Sequence, residues 1–113
     1  MNNKILDTIR SMLGPNEVYQ HFDGDILVNI NLAIDTLSQV GVRPNEGFIV
    51  NADTTWDEYI GEYNNLEMVK MYIYLSVKTF FDPPANSFVL DSMEKKMKEL
   101  EWRIDVETSQ EDQ

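Results

Sequence analysis

The chain has 113 residues, with 20 acidic and 9 basic side chains, a formal charge of −11 and no cysteine. This length supports one domain with a core that stands without cross-links, and the lack of thiols excludes disulfides and thiolate metal sites. No apolar run reaches the roughly 18 residues of a membrane span, and MNNKILDTIR lacks the basic-then-apolar order of a secretory leader, so a soluble intracellular protein without membrane contact is expected. The charge is unevenly spread: ten acids face one base, Arg43, between Ser11 and Val69, whereas Asn86 to Arg103 holds four of each. A surface of that kind repels phosphate backbones and disfavours tight direct binding of nucleic acid.

A first helix is expected over about residues 3–13, capped by Asn2 or Asn3, with Ile5, Leu6, Ile9, Met12 and Leu13 on one face. Gly14 and Pro15 stop it. Asn16 to Phe22 reads as a loop. It holds the single histidine, His21, which has no neighbouring nucleophile or second ligand and reads as a surface or packing residue. Asp23 is placed to cap a second helix over about 24–40, with Phe22 stapled onto Leu27. Its inner face would be Ile26, Leu27, Ile30, Ala33, Ile34 and Leu37, with Asn29, Asn31, Asp35, Thr36 and Gln39 outside. Gly41 suits a left-handed cap that folds Val42 back on Leu37, and Pro44 follows.

Residues 43–65 form the longest stretch without a helical period. Phe48, Ile49 and Val50 fit a short extended piece, and Thr55 with Glu58 has capping-box spacing for one helical turn near 56–60 that Gly61 closes. Trp56, Tyr59, Ile60 and Tyr63 give this loop a heavy aromatic load, which suits either a lid on the next helix or anchors for a partner protein.

The central element is LEMVKMYIYLSVKTFFD, a helix over about 65–82 ended by Pro83 and Pro84. Leu66, Val69, Ile73, Val77 and Phe80 form one stripe and Met68, Met71, Tyr72 and Leu75 another, leaving only Glu67, Lys70, Tyr74 and Lys78 as a polar strip. So apolar a helix must be covered on several sides. A last helix is expected over about 86–105, with Val89, Met93, Met97, Leu100 and Ile104 inward and Phe88 and Leu90 in contact at its start. Glu94 with Lys98, Lys95 with Glu99, and Glu99 with Arg103 are opposite charges four apart, and Trp102 lies off the main stripe. Residues 106–113, polar and acidic, are expected to be a flexible tail beyond a single helical domain of residues 1–105. The fold class is therefore all-α, a small bundle of four main helices.

Chemistry is sparse. Asn51, Asp53, Thr55 and Glu62 fall at calcium-loop positions, but Trp56 stands where that loop needs glycine. There is no phosphate-cradling glycine loop, nucleophile elbow or zinc-binding helix, and no carboxylate pair in an apolar setting. The residues argue against an enzyme and call for no cofactor or metal.

In their order and spacing, ILDTIRSMLG, DILVNINLAIDTLSQVGVRPNEGF, TTWDEYIG, LEMVKMYIYLSVKTFFDPP and SMEKKMKELEWRI resemble the head-tail connector, or adaptor, proteins of long-tailed bacteriophages and prophages, especially those of Gram-positive hosts. The resemblance spans roughly residues 4–104. It implies a structural protein of the virion neck, made in the bacterial cytoplasm, whose copies form a ring on the portal protein, extend the DNA channel and dock a tail-completion or stopper protein. Isolated subunits of such a protein can be monomers until a portal is present. On that reading the interface candidates are Phe48, Trp56, Tyr59, Tyr63, Trp102 and Arg103, and the acids that would keep DNA from adhering in the channel are Asp53, Asp57, Glu58 and Glu62. The competing reading is a small acidic helical interaction module, a regulator or nucleic-acid mimic, with a salt-sensitive basic partner.

Overall fold

A computed structural model describes residues 3–42, 48–61 and 66–111. Its elements are α1 (Ile5–Leu13), a helical turn α2 (Asn16–Tyr19) running into one turn of 3-10 helix (Gln20–Phe22), α3 (Asp23–Gln39), α4 (Trp56–Ile60), α5 (Leu66–Phe81) and α6 (Ser87–Glu111). The described residues contain no strand, only an isolated antiparallel bridge between Lys4 and Thr55, so the molecule is the all-α bundle that the periodicity implies.

Helix α5 is the hub. Val69, Ile73 and Val77 are fully buried and Tyr72, Leu75 and Ser76 nearly so, because α1, α3 and α6 all pack on it. Each large apolar side chain covered in this way contributes about 1.5–3 kcal/mol relative to exposure. Covering is incomplete: Met71 and Phe80, both expected inside, face solvent. Burial pushes the Tyr72 phenol well above its ordinary range, and the neighbouring Glu101 carboxylate adds to the effect.

The helices alternate in direction. Phe22, just before α3, meets Phe81 at the end of α5 edge-on with ring centroids 5.5 Å apart, and Tyr19 donates to the Asp82 carboxylate at 2.7 Å. At the opposite end Thr108 of α6 donates to the Val40 carbonyl just past α3 at 2.9 Å. Thus α1 and α5 run one way and α3 and α6 the other.

Several boundaries differ from the sequence reading. Helix α1 begins at Ile5 with Lys4 as an extended cap residue that makes no side-chain cap bond. Its Ile5 N–H is satisfied by the Thr54 carbonyl (3.0 Å), and the Asn3 amide reaches Asp57 (3.1 Å) instead of the helix; Asn2 lies outside the described residues. The expected loop at 16–22 is helical because the Pro15 carbonyl receives both Val18 N–H (3.0 Å) and Tyr19 N–H (3.3 Å). Asp23 is the first helical residue, not the cap, since its carboxylate is taken by Arg10 at 2.6 Å; Phe22 packs on Phe81. Gly41 (φ +100°) and Val42 behave as expected: Val42 N–H returns to the Leu37 carbonyl (3.0 Å) and Gly41 N–H to Ser38 (3.2 Å), a Schellman closure. Pro44 lies outside the described residues.

The largest difference is in α6. It does not stop near Asp105 but continues to Glu111, so residues 106–111 of the expected flexible tail are helical. Thr108 is buried beneath the α3 terminus, extending the line Leu100, Ile104, Thr108 with four-residue spacing. At its other end α6 is less buried than expected, with Phe88 78 % and Val89 45 % exposed.

Candidate protein interaction surfaces

The loop before α5 is held from three sides. Thr55 and Glu58 form the capping box, with Glu58 N–H donating to Thr55 Oγ1 (3.1 Å) and Thr55 N–H to Glu58 Oε1 (3.2 Å). Trp56 N–H binds the Asn3 carbonyl (3.0 Å), and its indole donates to Thr8 Oγ1 (3.0 Å) while Lys70 lies 5.4 Å from the ring centroid. The extended piece at 48–50 has no strand partner among the described residues. Asn31, expected on the outside, clamps it instead, accepting from Val50 N–H (2.7 Å) and donating to its carbonyl (3.1 Å).

These contacts decide where the interface candidates lie. Trp56 and Tyr59 are buried within this chain, so neither presents a free aromatic surface in the single subunit. Phe48 is half-buried and stacks on Tyr59 at 5.5 Å. Trp102 (67 % exposed) and Arg103 are outside, Arg103 paired loosely with Glu99 at 3.7 Å, the member of the three expected α6 pairs that forms. Tyr63 and Glu62 lie outside the described residues. Among the channel candidates Asp53, Asp57 and Glu58 are all exposed, but each has a structural tie: Asp53 to Lys4 (3.3 Å), Asp57 to Asn3, and Glu58 to the Thr55 cap.

The molecule has two unlike ends. Asp53, Asp57, Glu58 and Glu67 stand exposed where α1, α4 and α5 begin, close to where α3 and α6 finish. At the other end Val18, Phe22, Phe80, Phe88 and Val89 are exposed around a polar tie in which Asp82 accepts from Tyr19 (2.7 Å) and Lys78 (3.0 Å). Those two hydrogen bonds, Tyr19 first, hold the Asp82 carboxyl below its ordinary range. In return the Asp82 bond raises both Tyr19 and Lys78. A shallow groove of about 250 Å³ between α5 and α6 is lined by Thr79, Phe80, Glu94, Met97, Lys98 and Glu101.

Sequence reasoning missed the exposed pair Val28 and Leu32 on α3 (59 and 58 %) and placed Phe88 and Val89 in contact with the bundle. The spacing of Asp25, Val28, Leu32 and Asp35 in threes and fours, opposite the Ile26, Ile30, Ile34 face, is the signal that marks the first of these. No group of three or more acidic or histidine side chains is gathered for a metal among the described residues, and none of their helices is long and apolar enough to cross a membrane.

A small helical bundle with aromatic side chains in solvent at one end and carboxylates at the other is a module for contact with other macromolecules. The particular kind is given by comparison: the family model described as phage connector protein matches residues 5–111, and the chain belongs to that family. It is thus a structural connector component of a phage. No curated protein and no solved structure matches the chain significantly.

Proposed function

We propose that this protein acts in the phage neck, where its copies form a ring on the portal, extend the DNA channel and offer a docking surface to a tail-completion or stopper protein. The family match over residues 5–111 carries the reading. The exposed aromatic side chains support it, since a stable monomer gains nothing from Phe88 and Trp102 in water, whereas a protein gripped on several sides does. Electron microscopy of the protein mixed with the portal protein of the same phage tests the proposal: added ring density on one face of the portal is expected, and bare portals at saturating protein would end it.

The acidic end has a role within this reading. Carboxylates facing the channel deny DNA the counterion-release gain of binding, so it slides past without adhering. Asp53→Lys with Asp57→Lys should slow DNA ejection; unchanged ejection rules out a channel position for these acids. Glu58 is left out of that test because its carboxylate also closes the α4 cap. The same acidic end favours the competing module that mimics nucleic acid, which predicts a monomer or dimer, a strongly salt-dependent basic partner and no ring on a portal.

A further inference from the structure

We propose that the outer face of α3 in one copy of this chain docks on the outer face of α6 in the next, a head-to-tail contact repeated around the ring. This rests on the connector reading and adds to it the two faces that meet.

The α3 face is an aliphatic pair between two acids. Asp25, Val28, Leu32 and Asp35 follow one another three and four residues apart along one side of the helix, and all four are exposed. Helix α3 contains no basic residue, and neither carboxylate has an ion-pair partner among the described residues. The α6 face carries a basic pair, Lys95 and Lys98, between two aromatics, with one exposed acid, Asp91, among them and Glu99 at its edge tied to Lys96 and Arg103. Phe88, Lys95 and Trp102 are seven residues apart and so line up along the helix, with Lys98 beside them. Phe88 is 78 % and Trp102 67 % exposed, and neither Lys95 nor Lys98 pairs with a carboxylate among the described residues.

Charge favours this contact. Two copies carrying −11 each repel unless a base-bearing face meets an acid-bearing one. Docking α3 on α3 gathers both pairs of aspartates with no base to offset them, whereas the α6 face offers two lysines against the one interspersed acid. Joining α3 to α6 pairs the lysines with the aspartates, and the lysine stems can cover Val28 and Leu32 while their ammonium groups reach Asp25 and Asp35. Both helices pack chiefly on α5 and not on each other, so these faces look out of the molecule in different directions. A contact between two different faces of one chain leaves a free face at each end of every dimer; it continues until it closes.

The test uses charge swaps on the full chain, assayed on portal particles and in concentrated free protein. Asp25→Lys with Asp35→Lys, and separately Lys95→Glu with Lys98→Glu, should each weaken self-association about tenfold or more. Mixing the two variants should restore it, because every junction then alternates acid with base. Both pairs are exposed, so circular dichroism should be unchanged. As a second readout the cysteine-free chain takes Val28→Cys or Ser92→Cys; with a flexible bis-maleimide the mixture should give cross-linked heterodimer well above either homodimer, and the doubly substituted chain a ladder. Homodimers alone, or variants that fail to complement each other, overturn the assignment. A ring on the portal that ignores both swaps refutes these faces and leaves the connector role standing. Complementing variants that never bind portal do the opposite.

Discussion

Gly41→Ala should be strongly destabilising. Gly41 sits at φ +100°, and a Cβ there would lie 2.7 Å from Thr108 Oγ1 and 3.1 Å from Thr108 Cβ. Left-handed backbone costs an L-residue about 1–2 kcal/mol, and pushing Thr108 aside breaks its bond to the Val40 carbonyl, for about another 1 kcal/mol. The sum, about 2–3 kcal/mol, is a large share of the 5–15 kcal/mol typical of a domain. Urea denaturation followed by circular dichroism measures it. Gly24→Ala is the control: that glycine is helical with open space around it, so alanine should stabilise by about 0.5–1 kcal/mol. Thr108→Ala removes the nearest clashing atom, so in that background Gly41→Ala should cost at least about 0.5 kcal/mol less. Strict additivity, or a harmless Gly41→Ala, would refute the clasp between the α3 terminus and α6.

Other outcomes follow from the same contacts. Truncation after Asp105 removes Thr108 and should destabilise the fold by about 1–3 kcal/mol in urea titration, whereas a flexible tail there would leave it unchanged. Asn31→Ala strips both partners from Val50 and should cost about 1–3 kcal/mol by the same method. The Tyr19, Asp82 and Lys78 tie sets a pH window. Asp82 is lowered, so its contribution is present above the unfolded carboxylate value near about 4 and is lost as pH falls through the folded one. Tyr19 and Lys78 are raised, so theirs is present below about 10 and is lost as pH rises through the folded values. Asp82→Asn should flatten both limbs of a stability profile, and an unchanged profile counts against the tie. Trp102 fluorescence should shift to the blue when portal is added, and Trp102→Phe should abolish that shift while the buried Trp56 emission stays fixed.

Local grammar was readable from residue order alone. The Thr55 and Glu58 spacing located α4, Gly41 followed by Val42 located the α3 closure, and the period of Val69, Ile73 and Val77 located the hub. What escaped depends on residues far apart in sequence. Arg10 drawing Asp23 away from a cap, and the Thr54 carbonyl standing in for a cap on α1, are tertiary events with no local trace. The length of α6 is an intermediate case: the acidic run after Asp105 hides one threonine in register with Ile104, which is buried and bonded to the Val40 carbonyl. Surface assignment was weakest, because aromatics in a loop and aromatics on a helix look alike until one knows that Trp56 folds down and Phe88 does not. An apolar residue signals burial, and only the assembled neighbours say whether its own chain supplies it.

The clamp by Asn31 has a further effect on behaviour in a crowded assembly. An extended stretch with free amide and carbonyl groups invites a foreign strand to stack alongside, a hazard wherever many copies are held together at high local concentration. Here one carboxamide engages both backbone groups of Val50 from within the same subunit. The Val50 edge of the segment is thereby satisfied within the subunit and withheld from stray cross-β recruitment.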